Sequence, residues 1–204
     1  MHSVTVSRGI RAAFTAVTLF MVSLIVSGCG FNTIPTLEEQ AKASWSEVLN
    51  QYQRRADLIP NLVETVKGYA TQEKDVLVGV AEARAKASQV VIDPSKLTDP
   101  AAVAQFQQAQ DGLSSSLGRL LVTVEKYPEL KSDQNFLTLQ SQLEGTENRI
   151  AIARRDYNGA VQDYNTTIRT FPSLIAAKFV YGAKPLAPFQ ATAPNADTAP
   201  TVKF

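Results

Sequence analysis

The sequence predicts an all-α protein, an elongated antiparallel bundle of long helices resembling a four-helix bundle, with the first helix kinked at Pro60. Three observations predict it. Apolar residues recur at helical spacing from Leu37 to Ala87 and again from Val103 to Tyr127. Phe136, Leu143, Ile150, Tyr157, Tyr164 and Phe171 recur every seventh residue, the period of a left-handed seam against neighbouring helices. No segment shows sustained strand alternation bounded by hairpin turns.

The first helix is expected to start at Thr36, an N-cap with Glu39 three residues later in the capping-box position. Its apolar face is Leu37, Ala41, Trp45, Val48, Tyr52, Ala56 and Ile59. Pro60 removes a backbone donor and crowds the carbonyl four residues back, which predicts a kink. The pattern resumes at once through Leu62, Val66, Tyr69, Val76, Val80, Ala83 and Ala87. With no loop residues between the halves, it predicts one long bent helix ending before Asp93-Pro94. The second helix is capped by Thr98 or Asp99, with Pro100 in its first turn. Its core face is Val103, Phe106, Gln110, Leu113, Leu117, Leu120, Val124 and Tyr127, and Pro128 stops it.

Ser132 or Asp133 caps the third helix, whose seam is completed by Leu139, Ala153, Val161 and Ile168 and stopped by Pro172. At about 1.5 Å per residue it is roughly 55 Å long and the second helix roughly 40 Å. Residues 173–181 form a short apolar piece expected to fold back on the end of the bundle. The bundle domain is therefore 36–182. Residues 183–204, rich in Ala, Pro and Thr, are expected to be a mobile tail, because Pro185, Pro188, Pro194 and Pro200 support no helix.

Ahead of the bundle stands a targeting segment. Arg8 and Arg11 precede an apolar run from Ala12 to Ile25, which ends in Val26-Ser27-Gly28-Cys29. This has the charged and apolar regions of a secretory signal, and its last four residues resemble a bacterial lipobox. Residues 1–28 are then a signal peptide, Cys29 carries the acyl chains (palmitate among them), and 29–35 form a lipidated tether. A retained membrane helix is the alternative, but Ala12 to Gly28 falls short of the roughly 20 apolar residues that a span needs. The predicted location is the cell membrane or outer membrane, lipid-anchored and facing away from the cytoplasm.

Composition narrows the chemistry. The chain has 20 Lys and Arg against 19 Asp and Glu. Without Arg8 and Arg11 the balance falls just below zero, and there is no basic run, so no nucleic-acid partner is predicted. The single histidine, His2, leaves with the signal, and the single cysteine is used for lipid. That excludes Ser-His-Asp and Cys-His catalysis and zinc sites with His or Cys ligands. No catalytic residue, metal or cofactor is predicted, and the protein is read as a non-enzyme.

Three groups of polar residues remain. Glu144 and Glu147 lie one helical turn apart, but a di-iron site wants a histidine that is absent; pairing with Arg149, Arg154 or a neighbouring helix is expected. Arg54, Arg55 and Asp57, just before Pro60, could meet Arg154, Arg155 and Asp156 across the bundle. They would fix helix register or bind an anion through guanidinium forks. Asn148, Asn158 and Asn165 accompany Tyr157 and Tyr164 and could satisfy buried tyrosine hydroxyls.

Several stretches resemble one family. They are Asn50 to Ala70 (NQYQRRADLIPNLVETVKGYA), Tyr127-Pro128-Glu129-Leu130-Lys131, and Leu143-Glu144-Gly145-Thr146-Glu147-Asn148-Arg149-Ile150 continuing through Ala153-Arg154-Arg155-Asp156-Tyr157-Asn158 to Phe171-Pro172. Together they resemble the LemA family over about residues 32–184. The resemblance implies an envelope protein with an N-terminal membrane anchor and an elongated helical bundle outside the bilayer, with no established catalytic residues to carry over. Many members use an uncleaved N-terminal helix, and the lipobox-like Cys29 departs from that. The expected function is a helical scaffold with protein partners in the envelope; the alternative is a binding module for a small anionic or peptidic envelope ligand.

Overall fold

The computed structural model describes residues 12–21 and 32–190. Cys29 and residues 191–204 lie outside them. Residues 12–21 are helical and exposed. Among the described residues no strand occurs, and no helix is long and apolar enough to cross a membrane.

Four long helices run up, down, up and down: α1 (Thr33–Tyr69), α2 (Lys74–Gln89), α3 (Pro100–Val124) and α4 (Gln134–Thr167). The α1 and α4 helices pair along their length, and α2 packs on α3. The core falls into two stacked clusters. One joins the first half of α1, the start of α3 and the last half of α4 around Trp45, Phe106 and Tyr157. The other joins the remaining halves with α2 around Leu62, Val80, Leu120 and Phe136.

The all-α bundle is as expected, but its helices divide differently. The predicted long first helix is two helices, and the break is not at Pro60. The α1 helix runs through Pro60, and the chain reverses at 70–73. The apolar pattern could not reveal this. Val66 and Leu77 are both buried and eleven residues apart, which is three turns of a 3.6-residue helix, so the face stays in phase across the turn. The break is held by tertiary contacts: Ala70 is buried, and the Tyr127 hydroxyl donates to Glu73 at 3.0 Å.

The helix survives Pro60 because the orphaned carbonyl finds another donor. Proline cannot donate to Ala56 O, and Arg84 of α2 donates its Nε–H there at 2.8 Å. Arg84→Met is expected to cost about 1–2 kcal/mol, and less in a Pro60→Ala background where residue 60 regains its N–H. A double-mutant cycle in urea measures this; strictly additive effects would sink it.

The helix ends follow local chemistry. Asp99 accepts from Ala101 N at 2.9 Å and Asp133 from Phe136 N at 2.9 Å, so the aspartates rather than Thr98 or Ser132 are the caps. The Phe136 N–H, and then the Tyr69 hydroxyl, hold the Asp133 carboxyl below the ordinary aspartate range. With its folded value depressed, that cap is complete above the ordinary range and is lost as pH falls through the folded value.

Thr36 is not a cap. The helix has begun at Thr33, Pro35 sits in the first turn, and the Thr36 hydroxyl donates back to Asn32 O at 2.7 Å. The α4 helix ends at Thr167 rather than Pro172. Phe171 therefore leaves the seam and is 75% exposed. Residues Ser173–Ala176 and the π-helical Ala177–Tyr181 fold back, but only Ala176 and Ala177 are buried. Residues 183–190, expected to open a mobile tail, are instead an extended strap docked on the bundle, with Leu186, Ala187 and Phe189 buried; the rest of that expectation, residues 191–204, lies outside the described residues.

Candidate functional site

The charged residues expected to meet across the bundle do not form one cluster. Arg54 and Asp57 are exposed, and Asp57 accepts from Gln53 at 2.7 Å. Arg155 pairs with its own neighbour Asp156 at 3.0 Å. Arg154 lies over the Phe189 ring at 4.7 Å and donates to Gln190 O at 3.3 Å.

Arg55 alone is buried, at 1% exposure. It donates to Glu147 of α4 at 2.7 Å, to Ser114 Oγ at 2.8 Å and to both the side chain and backbone oxygens of Gln110. Gln110 reaches on to Ala87 O of α2 at 3.4 Å. This polar layer ties all four helices where the two apolar clusters meet. Such a layer favours the one alignment of the helices in which these bonds form, while the Arg55 Nε is buried without a partner. Glu147 is thus paired from a neighbouring helix, as expected, while Glu144 accepts from Gln140 at 3.0 Å. Among the described residues no three His, Cys, Asp or Glu converge as a metal site.

The second polar constellation is the seat of the strap, and only part of it had been anticipated. Asn165 both donates to Leu186 O and accepts from Leu186 N, each at 2.8 Å. Asn158 does the same to Phe189, at 3.1 and 2.9 Å. Gln107 of α3 repeats it on Gln190, at 3.0 and 3.2 Å. Ala187 donates to Leu97 O and accepts from the Tyr157 hydroxyl at 2.9 Å.

Three side-chain amides thus replace the neighbouring strand that an extended chain normally requires. The spacing fits. Two residues a heptad apart on a helix are separated by about 10.5 Å, and three residues of extended chain span about 10 Å. Asn158 and Asn165 are therefore in step with Leu186 and Phe189. The expectation that these asparagines serve tyrosine hydroxyls is corrected: they hold strap backbone, and Asn148 is exposed. The repeated Tyr157-Asn158 and Tyr164-Asn165 pairs were the available signal, one residue facing the core and the next facing its rim.

Phe189 closes the aromatic core. Its ring stacks on Trp45 at 5.5 Å and 24° and meets Tyr157 edge-on at 5.5 Å and 72°. Trp45 also contacts Phe106 at 5.2 Å. Burial pushes the Tyr157 hydroxyl well above the ordinary tyrosine range, so it stays a donor. Beside the strap a cleft of about 420 Å³ is lined by Asn158, Val161, Gln162, Asn165, Thr166, Arg169 and Pro188. Chemically, the seat can recognise an extended peptide backbone and one aromatic side chain.

Comparison with known proteins adds the following. The model of the LemA family matches residues 44–204. The chain is 28% identical over 191 residues to the magnetosome protein MamQ 2 of Paramagnetospirillum magneticum, covering 86% of this chain and 69% of that protein. It is also 28% identical over 118 residues to the protein LemA of Metamycoplasma hominis, covering 58% of this chain and 49% of that protein.

Proposed function

The chain belongs to the LemA family, and from that premise we propose that it is a non-enzymatic, lipid-anchored envelope protein whose helical rod presents surface to partner proteins. The observation that carries this reading is the apolar segment ending at Cys29, placed directly before a closed rod of helices up to 37 residues long. Acyl chains at Cys29 would supply about 0.8 kcal/mol per buried methylene, and two or more chains make attachment firm. Family membership and the similarity to a magnetosome protein support a membrane-associated protein.

Metabolic labelling with a fatty-acid probe tests the anchor. Label is expected on the parent and absent from Cys29→Ala, with the variant released from membranes or held as precursor. Label retained by Cys29→Ala would overturn the assignment.

Of the alternative ligands, an anion loses its expected anchors, because Arg54, Arg55, Arg154 and Arg155 do not converge. A peptide is favoured by one observation, the amides of Gln107, Asn158 and Asn165 that grip main chain. On that second reading the strap is a resident pseudo-ligand. A chain ending at Lys184 should then bind a peptide of residues 185–190, and failure to bind it removes this reading.

A further inference from the structure

We propose that the end of the rod nearest the anchor is itself a lipid-contacting element, centred on residues 171–181, which dips into the membrane interface beside the tether. This rests on the membrane-tethered reading and adds to it a second point of contact.

The segment is inside-out for a soluble protein. Its two small residues, Ala176 and Ala177, face the core, while its large apolar ones face away. Phe171 is 75% exposed and Phe179 78%, with Leu174, Ile175 and Val180 also exposed. A helix that packs in water buries its large apolar side chains and spares its alanines. Five uncovered large apolar side chains within ten residues form a patch of the kind that marks an interaction surface.

Position and charge choose the occupant. Ile34, in the first turn of α1, shares a core cluster with Ile168, Ala176 and Ala177, so the patch lies at the end where the N-terminal segment joins the bundle. From Tyr164 to Gln190 the chain carries Arg169, Lys178 and Lys184 and no acidic residue. Glu38 and Asp93 border the segment at Tyr181, where with Lys42 and Lys184 they line a cleft of about 640 Å³, and Glu38 is paired with Lys42 at 2.9 Å. Apolar side chains fringed by lysine and arginine are the chemistry of an interfacial element on anionic lipid. A second copy would bring the same cations against these, which disfavours self-association through this face.

The test places tryptophan at the patch in the full lipidated chain. The native Trp45 is fully buried in the bundle, so it reports little from the bilayer. Phe179→Trp and, at the opposite end of the rod, the exposed Val122→Trp are each reconstituted in phosphatidylcholine–phosphatidylglycerol vesicles with brominated acyl chains. Quenching of Phe179→Trp severalfold above both Val122→Trp and the parent is expected. Adding Val180→Asp should abolish the excess while leaving the helical signal and melting temperature unchanged, because residue 180 is exposed.

Equal quenching at both positions would overturn the proposal. So would absent quenching together with a dimer that Phe179→Asp dissociates, which would assign the face to a second copy. Loss of fatty-acid label on Cys29 with quenching at residue 179 intact would remove the tether and leave the contact standing.

Discussion

Phe189→Ala is expected to destabilise the bundle by about 3–5 kcal/mol, the usual cost of deleting a buried phenyl ring. The ring is packed against Trp45, Phe106 and Tyr157 and lies under Arg154, so its removal opens the aromatic cluster. It also releases the strap, exposing the amides of Gln107, Asn158 and Asn165. Those amides face water once freed, so most of the loss belongs to the ring and its neighbours. Urea denaturation measures the effect. Phe171→Ala is the internal control: its ring is exposed, and a change within about 0.5 kcal/mol is expected. A Phe189→Ala protein as stable as that control would mean that the strap is a surface decoration.

Arg55→Ala is expected to cost about 2–4 kcal/mol, and Arg55→Met no more than about 1–2 kcal/mol. The contrast is the informative part. Alanine leaves a cavity between the two apolar clusters and strips partners from Gln110 and Ser114. Glu147 is stranded less severely, because its side chain is 46% exposed and can turn to water. Methionine strips the same partners but fills the volume, so it avoids the cavity and leaves the unpaired Gln110 oxygen as the main cost. What methionine removes is the alignment signal. Arg55→Met is therefore expected to unfold with a shallower dependence on urea and with broader core methyl resonances than the parent. Equal losses for the two variants would show that Arg55 acts by charge alone, and a negligible loss for Arg55→Ala would remove it from the core.

Much of the helical architecture was written in apolar spacing. The α3 face and the α4 seam needed only residues three, four and seven apart, because a helix brings those into contact without outside help. The caps were legible to within one residue, as Thr98 or Asp99 and Ser132 or Asp133, and the structure chose the aspartates, each reaching an amide two or three residues on. Arg55 was legible only together with Arg54 and Asp57, as charges before Pro60, without separation of the buried one from its exposed neighbours. Its partner Glu147 was not legible, because 92 residues separate them and the register between two helices is a property of their packing.

The sequence by itself determined which stretches are helical, which faces are apolar, and that no histidine or free thiol stands in the bundle. The tertiary structure decided the rest. It turned the chain at residue 70, inside a pattern whose eleven-residue spacing hides a turn. It bridged the Ala56 carbonyl below Pro60 with a guanidinium from another helix. It also docked residues 183–190, where proline forbids a helix but not burial. An extended backbone can be buried wherever something satisfies its amides and carbonyls. Here those groups come from side chains 21 to 83 residues away and from the backbone carbonyl of Leu97, distances that no local pattern reports.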